Sequence, residues 1–457
     1  MVRARWRLIG ASLVSVALLS LAPASALAGD QWIFRTPAAR PTDHPDPNRN
    51  AYTVPEAPRS PACTRHFCVH WVAEGIDAPD LSDSNGNGVP DYVERVQAVA
   101  ERVYSIENGK LGWRDPKSDG RKGGGNGKTD VYLDQIGGAL FGYAAPDRGQ
   151  ATQAHRLPRR LHGYLVLDNN YDPTEFPGTT PQHDLEVTVA HEYDHILQFG
   201  YDAYQDAWFA ESSAVWMEDQ VYNGINDYLR YVRRWVKRSD TPLTANSIKE
   251  YGSTLWNKWL AHRYGRSIVR RAWARAIHTK PGGFSVAAYD SAIEAAGPSD
   301  FSQDFARFAR DLPEWRTDSV FPEGDSYPDV VRQGSLPLDG RTLDRSLNHT
   351  TFQLLRVHAS SGRALTVNAS APRGIAAGLA LVGRSGSERH GHVVSALRFV
   401  PNGGEMSVRL ARPGRFDRLT AVLVNADTSA SGFSARRLDW AYLTDSVPFR
   451  VSARLTR

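Results

Sequence analysis

The spacing of hydrophobic residues changes along this chain. From about 226 to 315, segments such as YLRYVRRWVKR, EYGSTLWNKWLAHRYG and QDFARFARDL carry apolar residues three and four positions apart, which predicts helices. From about 347 the apolar residues alternate with other residues, as in TFQLLRV, ALTVNAS, EMSVRL and FRVSARL. Gly, Asn, Ser and Pro separate these segments. Alternation at this density predicts an all-β sandwich over 346–457, preceded by a Pro- and Gly-rich linker over 321–345.

The region before the helical segments mixes strand and helix patterns. Strands are predicted at FCVHWV, at residues 130–133 and at HGYLVLDNNY, and a helix is predicted at YVERVQAVAERVYSIE. The glycine-rich run KSDGRKGGGNGKTD lacks the spacing of a phosphate-binding loop, so a flexible or metal-binding loop is the better interpretation. We therefore expect an α+β domain over 63–320, with a helical second half.

The N-terminus has the pattern of a secretory signal peptide. Arg3, Arg5 and Arg7 precede an apolar run that is short for a membrane span, and A-L-A at residues 26–28 offers a cleavage site. We expect a signal peptide over 1–28, an extended leader rich in Pro, Arg and Asp over 29–62, and a secreted protein without a stable membrane span. The alternative is an uncleaved membrane anchor.

Two cysteines, Cys63 and Cys68, lie close together in the sequence. In an exported chain the simplest interpretation is a local disulfide, and the alternative is a pair of metal ligands. A thiolate site needs further cysteines, which the chain does not have.

Positive charge is concentrated in the C-terminal part. The full chain has a formal charge of +4, whereas residues 346–457 hold 15 Arg, no Lys and six acidic residues. This basic β domain could dock on the acidic catalytic part or on envelope polyanions, or the arginines could serve no partner.

The stretch VTVAHEYDHILQFG contains His191, Glu192 and His195 in the order H-E-x-x-H. On a helix, two imidazoles four residues apart lie on one face and can hold one zinc ion, with Glu192 beside them as general base. A catalytic zinc takes three protein ligands, and Glu211 in the next predicted helix suits the third position. The alternative is a chance H-E-x-x-H on a structural helix.

Together, HEYDH and WFAESSAVWMED resemble the gluzincin zinc peptidases, in which the third ligand lies in a W-x-x-E-G-x-A helix. Trp208, Glu211 and Ala214 match that pattern, and Ser212 replaces the glycine. The order of FCVHWV, the NGNGVPDYVE loop, DVYL and the motif is similar to that in a group of large secreted bacterial predicted metallopeptidases, over about 63–265. The resemblance implies a zincin-like catalytic domain, zinc on His191, His195 and Glu211, Glu192 as base, and proteolysis.

Several residues are candidates for supporting roles. Asp194 is charged where the family pattern prefers an uncharged residue. We expect it to hydrogen-bond a metal ligand or a residue that surrounds the ligands, or to tune the site away from ordinary peptidase behaviour, and Glu218 is the other candidate for an outer partner of the ligands. Tyr251 is the candidate for stabilising the oxyanion, as a downstream Tyr or His often does in gluzincins; the alternative is a packed helix aromatic. Three further histidines are weaker candidates for the site: His155, His162 and His183.

Residues 83–94 fit the pattern of a calcium loop, D-x-[DN]-x-[DN]-G-x5-E. The ligands would be the side chains of Asp83, Asn85, Asn87, Asp91 and Glu94 and the carbonyl of Val89, in a structural site of modest affinity. The alternative is an Asn-Gly turn that caps the following helix.

These observations favour a secreted, zinc-dependent, calcium-stabilised endopeptidase that acts on a protein or peptide and not on nucleic acid. A second hypothesis is a non-catalytic calcium- and zinc-binding surface or adhesion protein. A third is a zinc hydrolase of another amide, such as a cell-wall peptide, or a degenerate enzyme that binds zinc without catalysis. A structural zinc needs a fourth protein ligand, for which the sequence offers no clear candidate.

Overall fold

The computed structural model describes residues 39–43, 51–137, 140–147, 159–245, 249–278, 284–317, 320–359, 363–429 and 445–456. The predicted signal peptide and the first ten residues of the leader lie outside these ranges. The described chain is a mixed α/β structure with several sheets and a β-rich C-terminal part.

The first sheet provides the platform for the motif helix. Its strands are β1 (Ala62–Cys63), β2 (Phe67–His70), β3 (Thr129–Asp134), β4 (Gly142–Pro146) and β5 (Gly163–Asp168). The order is β1-β2-β3-β5-β4, in which β2, β3 and β5 are parallel and the outer strands β1 and β4 are antiparallel to their neighbours. The antiparallel strand β4 therefore forms one edge of the sheet.

The first two helices pack on this sheet, and the further helices make up the middle of the chain. They are α1 (Asp91–Tyr104), α2 (Pro181–Asp202), α3 (Ala207–Val221), α4 (Leu229–Trp235), α5 (Lys249–Gly252), α6 (Thr254–Tyr264), α7 (Ser267–Arg275), α8 (Ser285–Glu294) and α9 (Phe301–Asp311). A π-helical turn, Ser105–Lys110, follows α1, and 3-10 turns occur at Leu312–Glu314, Gly324–Ser326 and Pro413–Arg415.

Helix α2 carries the H-E-x-x-H motif and is largely buried. Thr180 caps it by accepting a hydrogen bond from the backbone N–H of His183 at 3.2 Å, and Pro181 occupies the first turn, where a missing N–H costs nothing. Leu185, Val189 and their apolar neighbours belong to the main hydrophobic core, and α2 contacts the sheet at β4 and β5. The helix is thus held by its cap and by burial.

The C-terminal part is a two-sheet β structure. Its strands are β6 (Ser335–Leu336), β7 (Leu343–Leu347), β8 (Thr351–Val357), β9 (Ala364–Ala371), β10 (Ala377–Ser385), β11 (His392–Val400), β12 (Gly404–Leu410), β13 (Arg418–Asn425) and β14 (Val447–Thr456). One sheet has the order β11-β10-β13-β8-β6 and the other β12-β9-β14-β7. The segment predicted as a linker, 321–345, contains β6 and most of β7. The sequence did not predict these strands because they are too short to show a clear alternation of apolar residues.

The sheet that contains β10 and β13 is apolar on both faces. Leu379 and Leu381 face the second sheet, whereas Ala380 and Val382 face the helical part and share its hydrophobic core. This explains why GLALVG is a continuous apolar run rather than an alternating one. Helix α9 packs against the outward face of this sheet.

The described residues of the leader, 39–43 and 51–62, include side chains and backbone that cover the face of the first sheet opposite the helices. Tyr52 packs there on a small core around Tyr132, and Tyr164 donates a hydrogen bond to the carbonyl of Ala39 at 2.7 Å. Arg40 is only 2% exposed and pairs with Asp119, Asp130 and Asp147.

The cysteine pair lies at the outer edge of this sheet. The sulfur atoms of Cys63 and Cys68 lie 2.07 Å apart, at disulfide distance, in the β1–β2 hairpin. Within the described ranges, no helix combines the length and the apolar character needed to cross a membrane.

Candidate metal centre

Helices α2 and α3 bring His191, His195 and Glu211 together. The Nε2 atom of His191 lies 3.1 Å from Oε2 of Glu211, and Nε2 of His195 lies 3.7 Å from the same oxygen. The two imidazole rings stand nearly perpendicular, at 84°, with centroids 4.7 Å apart. One possible donor atom from each residue thus faces a common point.

This spacing fits a tetrahedral metal ion. Ligand bonds of roughly 2.0–2.2 Å place two ligands of a tetrahedral zinc about 3.4 Å apart. The donor atoms of His191, His195 and Glu211 all lie within 4.8 Å of one another, and two imidazoles with a carboxylate suit zinc. Among the described His, Cys, Asp and Glu residues, this is the only cluster of three or more with such geometry.

The second nitrogen of each histidine is occupied by a partner. Nδ1 of His191 lies 2.6 Å from Oε1 of Glu218, and Nδ1 of His195 lies 2.9 Å from Oε1 of Gln198. The amide of Gln198 in turn donates to Oδ2 of Asp194 at 2.6 Å. These bonds orient each ring so that Nε2 faces the common point, as outer partners do in metal sites.

Sequence reasoning named Glu218 and Asp194 as supporting residues and missed Gln198. Gln198 is three residues after His195 on the same helix, a spacing that places two side chains on one face. That spacing was the available signal. The side-chain amide of Gln198 lies between Asp194 and His195 and bonds both of them.

Burial raises the pKa of an acid in this site, whereas the neighbouring histidines lower it, and the balance differs between Glu211 and the two outer acids. Burial would raise the pKa of Glu211, but the imidazoles of His195 and His191 outweigh it and lower that pKa. Burial raises the pKa of Asp194 to about 7 and that of Glu218 to about 7, although their histidine neighbours oppose the shift. Burial lowers the pKa of His191, but bonds to Glu211 and Glu218 outweigh it and raise that pKa.

Glu192 lies beside the histidines, at a cleft between α2, α4 and β4. The backbone N–H of Ala144 in β4 favours the charged form of its carboxylate. Burial raises the pKa of Glu192, while the charges of His191 and His195 oppose this. A carboxylate with a raised pKa next to a metal site is suited to accept and release a proton.

The cleft has a volume of about 280 Å³ and is lined by the expected Tyr251 together with residues that sequence reasoning missed. The ring of Tyr251 stacks over His191 at 6.2 Å and on Tyr231 at 5.0 Å. Arg230 and Arg234 also line the cleft. Helix α4 brings these residues to the site only through tertiary packing, so no local pattern marks them.

The other candidate histidines lie elsewhere. His162 is on the opposite side of the first sheet, where Nδ1 contacts Asp147 at 2.6 Å. His183 is exposed in the first turn of α2, and His155 lies outside the described residues. The structure therefore does not bring His162 or His183 to the three candidate ligands.

In the predicted calcium loop, N–H groups of the loop donate hydrogen bonds to the acids at its two ends. Asp83 accepts hydrogen bonds from the backbone N–H groups of Gly86, Asn87 and Gly88, and Glu94 accepts from the side-chain amides of Asn85 and Asn87. Gly86 and Gly88 have φ of 70° and 83°, the left-handed conformation that suits glycine.

Asp91 is bonded to a different residue of the loop. Its carboxylate accepts hydrogen bonds from the backbone and hydroxyl of Ser84. The loop therefore gathers Asp83, Asn85, Asn87 and Glu94, while Asp91 is occupied as a cap within the loop.

Part of the chain matches the model of a family without an assigned role. Residues 177–347 match DUF6055, a family of unknown function. This match includes the motif helix, Glu211 and the cleft residues of α4 and α5. No curated protein matches the chain.

Two solved structures give low similarity. One is the pre-peptidase C-terminal domain of a collagenase from Bacillus anthracis, at 12% identity and a TM-score of 0.18, over 28% of this chain and 100% of that domain. The other is a family GH115 4-O-methyl-α-glucuronidase, at 8% identity and a TM-score of 0.15, over 64% of this chain and 46% of that chain.

Proposed function

We propose that this chain is an exported, zinc-dependent endopeptidase of gluzincin type with a zincin-like catalytic domain. The observation that supports this is the convergence of His191, His195 and Glu211 at tetrahedral spacing, with Glu192 adjacent at an open cleft. The described residues supply three ligands to this point, which leaves a coordination position for water or substrate, as in catalytic zinc sites.

The residues of the site divide the chemistry between them. When bound, zinc would polarise the scissile carbonyl and lower the pKa of a water molecule towards 7. Glu192 would accept the proton of the attacking water and deliver it to the departing amine. Tyr251, which stacks over His191 in the cleft, would donate its hydroxyl proton in a hydrogen bond to the oxyanion.

The edge strand β4 supports a peptide as substrate. Gly142 lines the cleft, and within the described part of the chain no strand pairs with the outer edge of β4. Ala144 already directs its N–H towards Glu192 at this edge. An extended peptide could add to β4 through backbone hydrogen bonds, which would hold its scissile bond beside the metal.

Calcium and export complete the proposal. Asp83 and Glu94 bracket the loop, and rotating the amides of Asn85 and Asn87 would exchange donor for acceptor atoms towards a cation between them. Such an ion would be structural. The signal-peptide pattern of residues 1–28 supports secretion.

The proposal is tested with the mature protein and a Glu192→Gln variant. We expect zinc bound to both by elemental analysis, and cleavage of a mixed peptide library by the parent alone. Loss of the general base should reduce the rate by about 10²–10⁴-fold. Glu186→Gln on the same helix is the control, because Glu186 is partly exposed and bonds only Gln182 among the described residues.

Other outcomes separate the rival hypotheses. Absence of zinc from the parent and the variant would overturn the metal site, and equal cleavage by both would overturn the role of Glu192. Zinc in both without cleavage of any peptide would favour the non-catalytic surface protein. Cleavage of cell-wall peptides alone would favour the hydrolase of another amide.

A further inference from the structure

The cleft beside Glu192 contains two arginines from one face of α4. Arg230 and Arg234 are four residues apart, whereas Val232 and Trp235 of the same helix are buried in the core. Because residues four apart lie one above the other on a helix, both guanidinium groups reach the same cleft. Its volume of about 280 Å³ is near the lower end of ligand pockets, so a bound group cannot lie far from either.

Arg230 is held in place and still has donors to offer. Its guanidinium pairs with Asp227 at 2.8 Å, donates to the hydroxyl of Tyr231 at 2.9 Å and lies over the ring of Phe141 at 5.4 Å. A guanidinium has five N–H donors, and the side chain of Arg230 is 42% exposed. The arginine is therefore preorganised but not saturated.

Arg234 carries a positive charge that no described residue balances. It is exposed, and its side chain forms no hydrogen bond or ion pair within the described part of the chain. Two acids line the cleft: Glu192, the proposed general base, and Glu218, which is 6% exposed and already bonded to His191. Asp227 pairs with Arg230, whereas Arg234 lines the same cleft as the proposed catalytic groups without an ion pair to any described residue.

We infer that Arg230 and Arg234 form a subsite that binds a carboxylate of the substrate, either an acidic side chain or the free C-terminal carboxylate of a peptide. Guanidinium groups bind carboxylates through paired, charge-assisted hydrogen bonds, which favours this ligand over a neutral amide. The inference rests on the proposed peptidase function and adds a substrate class to it.

The test uses four peptides that differ in one group each. They carry Glu or Gln near the scissile bond, and each is made with a free C-terminal carboxylate or with a C-terminal amide. The parent should favour a carboxylate over its amide counterpart roughly tenfold or more in kcat/KM, as expected for a charge-assisted hydrogen bond. Preference in the Glu/Gln pair identifies a side-chain carboxylate, and preference in the other pair identifies the C-terminus.

In the Arg234→Gln variant, the ratio of kcat/KM for the preferred carboxylate peptide to kcat/KM for its amide counterpart should fall close to one. The main cause should be a higher KM for the carboxylate peptide. Arg233→Gln is the matched control, since Arg233 is exposed on the same helix and does not line the cleft. It changes the net charge equally and should keep the preference of the parent. Equal loss in both variants would indicate long-range charge and would overturn the subsite.

A binding measurement separates failure of the inference from failure of the proposed function. Calorimetry with the four peptides is done on the zinc-loaded parent, Glu192→Gln and its double variant with Arg234→Gln. Cleavage without any carboxylate preference would overturn the subsite and leave the peptidase function standing. If no peptide is cleaved, tighter carboxylate binding that needs Arg234 would still support the subsite, and equal binding would overturn it.

Discussion

Gln198 is the residue through which Asp194 supports a candidate metal ligand. Its amide oxygen faces Nδ1 of His195, and its amide nitrogen donates to Asp194 and to Ser213. We predict that Gln198→Leu weakens zinc binding by about 10–100-fold, the usual effect of losing an outer partner of a metal ligand. Competition with a chromophoric chelator measures this change.

Gln182→Leu is the control for this prediction. Gln182 is in the first turn of the same helix, exposed, and bonded only to Glu186 among the described residues. It should leave the zinc affinity unchanged. Equal affinity of Gln198→Leu and the parent would show that the bond to His195 does not orient the ring.

At this scale, the sequence predicted the residues that lie on one helix face or in a family motif. His191, His195, Glu211 and Glu218 converge because the α2–α3 hairpin is local. The arginines of α4 could not be predicted, because their distance from Glu192 depends on how a third helix packs across the cleft. The zinc itself and the reaction stay predictions.

Among the elements, the leader anchors the first sheet through a buried ionic cluster. Within this cluster, His70 contacts Glu56 through Nδ1 at 2.7 Å and Asp130 through Nε2 at 3.0 Å, and its ring stacks on Tyr132. Burial lowers the pKa of His70, but the bonds to Asp130 and Glu56 outweigh it and raise that pKa above 6.5. The folded state therefore prefers the charged imidazole.

This preference predicts how the stability of a His70→Gln variant depends on pH. A raised histidine pKa gives a stabilisation that is complete below 6.5 and is lost as pH rises through the folded-state value. The parent should exceed the variant in unfolding free energy by more at pH 5 than at pH 9. The difference grows by about 1.4 kcal/mol for each pKa unit.

Denaturant titrations at the two pH values test this, with His262→Gln as control because His262 is exposed at the end of α6. The carboxylate of Glu56 does not reverse the sign at pH 5. Burial would raise its pKa, but its bonds to His70 and Ser60 lower it below 4.5. A larger difference at pH 9 would contradict the prediction.

The loop at residues 83–94 gives a prediction about calcium. We expect a calcium dissociation constant of about 10⁻⁴–10⁻³ M, which is typical of extracellular sites. A free calcium concentration of about 100 times this constant should raise the free energy of unfolding by about 2.7 kcal/mol. Glu94→Gln keeps the size of the side chain and one of the two acceptor oxygens that face the amides of Asn85 and Asn87, but removes the charge. It should abolish most of the calcium-dependent rise in melting temperature.

Glu74→Gln, an exposed acid before the loop, should keep the rise. A rise of the same size in Glu94→Gln would favour the simpler interpretation, an Asn-Gly turn before α1.

Strands and helices with clear periods were predictable, and short or doubly buried elements were not. The pattern of FCVHWV lies at β2, and the three-four spacing of QDFARFARDL lies at α9. Strand β6 has only two residues and is therefore too short to show a hydrophobic period. The apolar runs of β10 and β13 show burial, but only tertiary packing assigns one face to the helices.

For the whole molecule, the joint between the helical part and the β-rich part combines apolar packing with buried charge. Phe305 and Phe308 of α9 share a hydrophobic core with Val422 and Val424 of β13. Next to this core, Glu314 is 3% exposed and has several arginines of the C-terminal part around it. Their nitrogens lie 3.0 Å from its carboxylate in Arg384, 3.4 Å in Arg332 and 3.8 Å in Arg418.

We predict that Glu314→Ala lowers the unfolding free energy by about 3–5 kcal/mol, because it leaves the buried guanidinium groups of Arg384 and Arg332 without their counter-charge. Glu388→Ala is the matched control. Glu388 also pairs with Arg418, at 3.3 Å, but its side chain is 31% exposed, so its loss should cost less than about 1 kcal/mol. Guanidinium chloride titrations of both variants and the parent measure the two costs. Equal costs would show that burial at the joint does not set the strength of this ionic cluster.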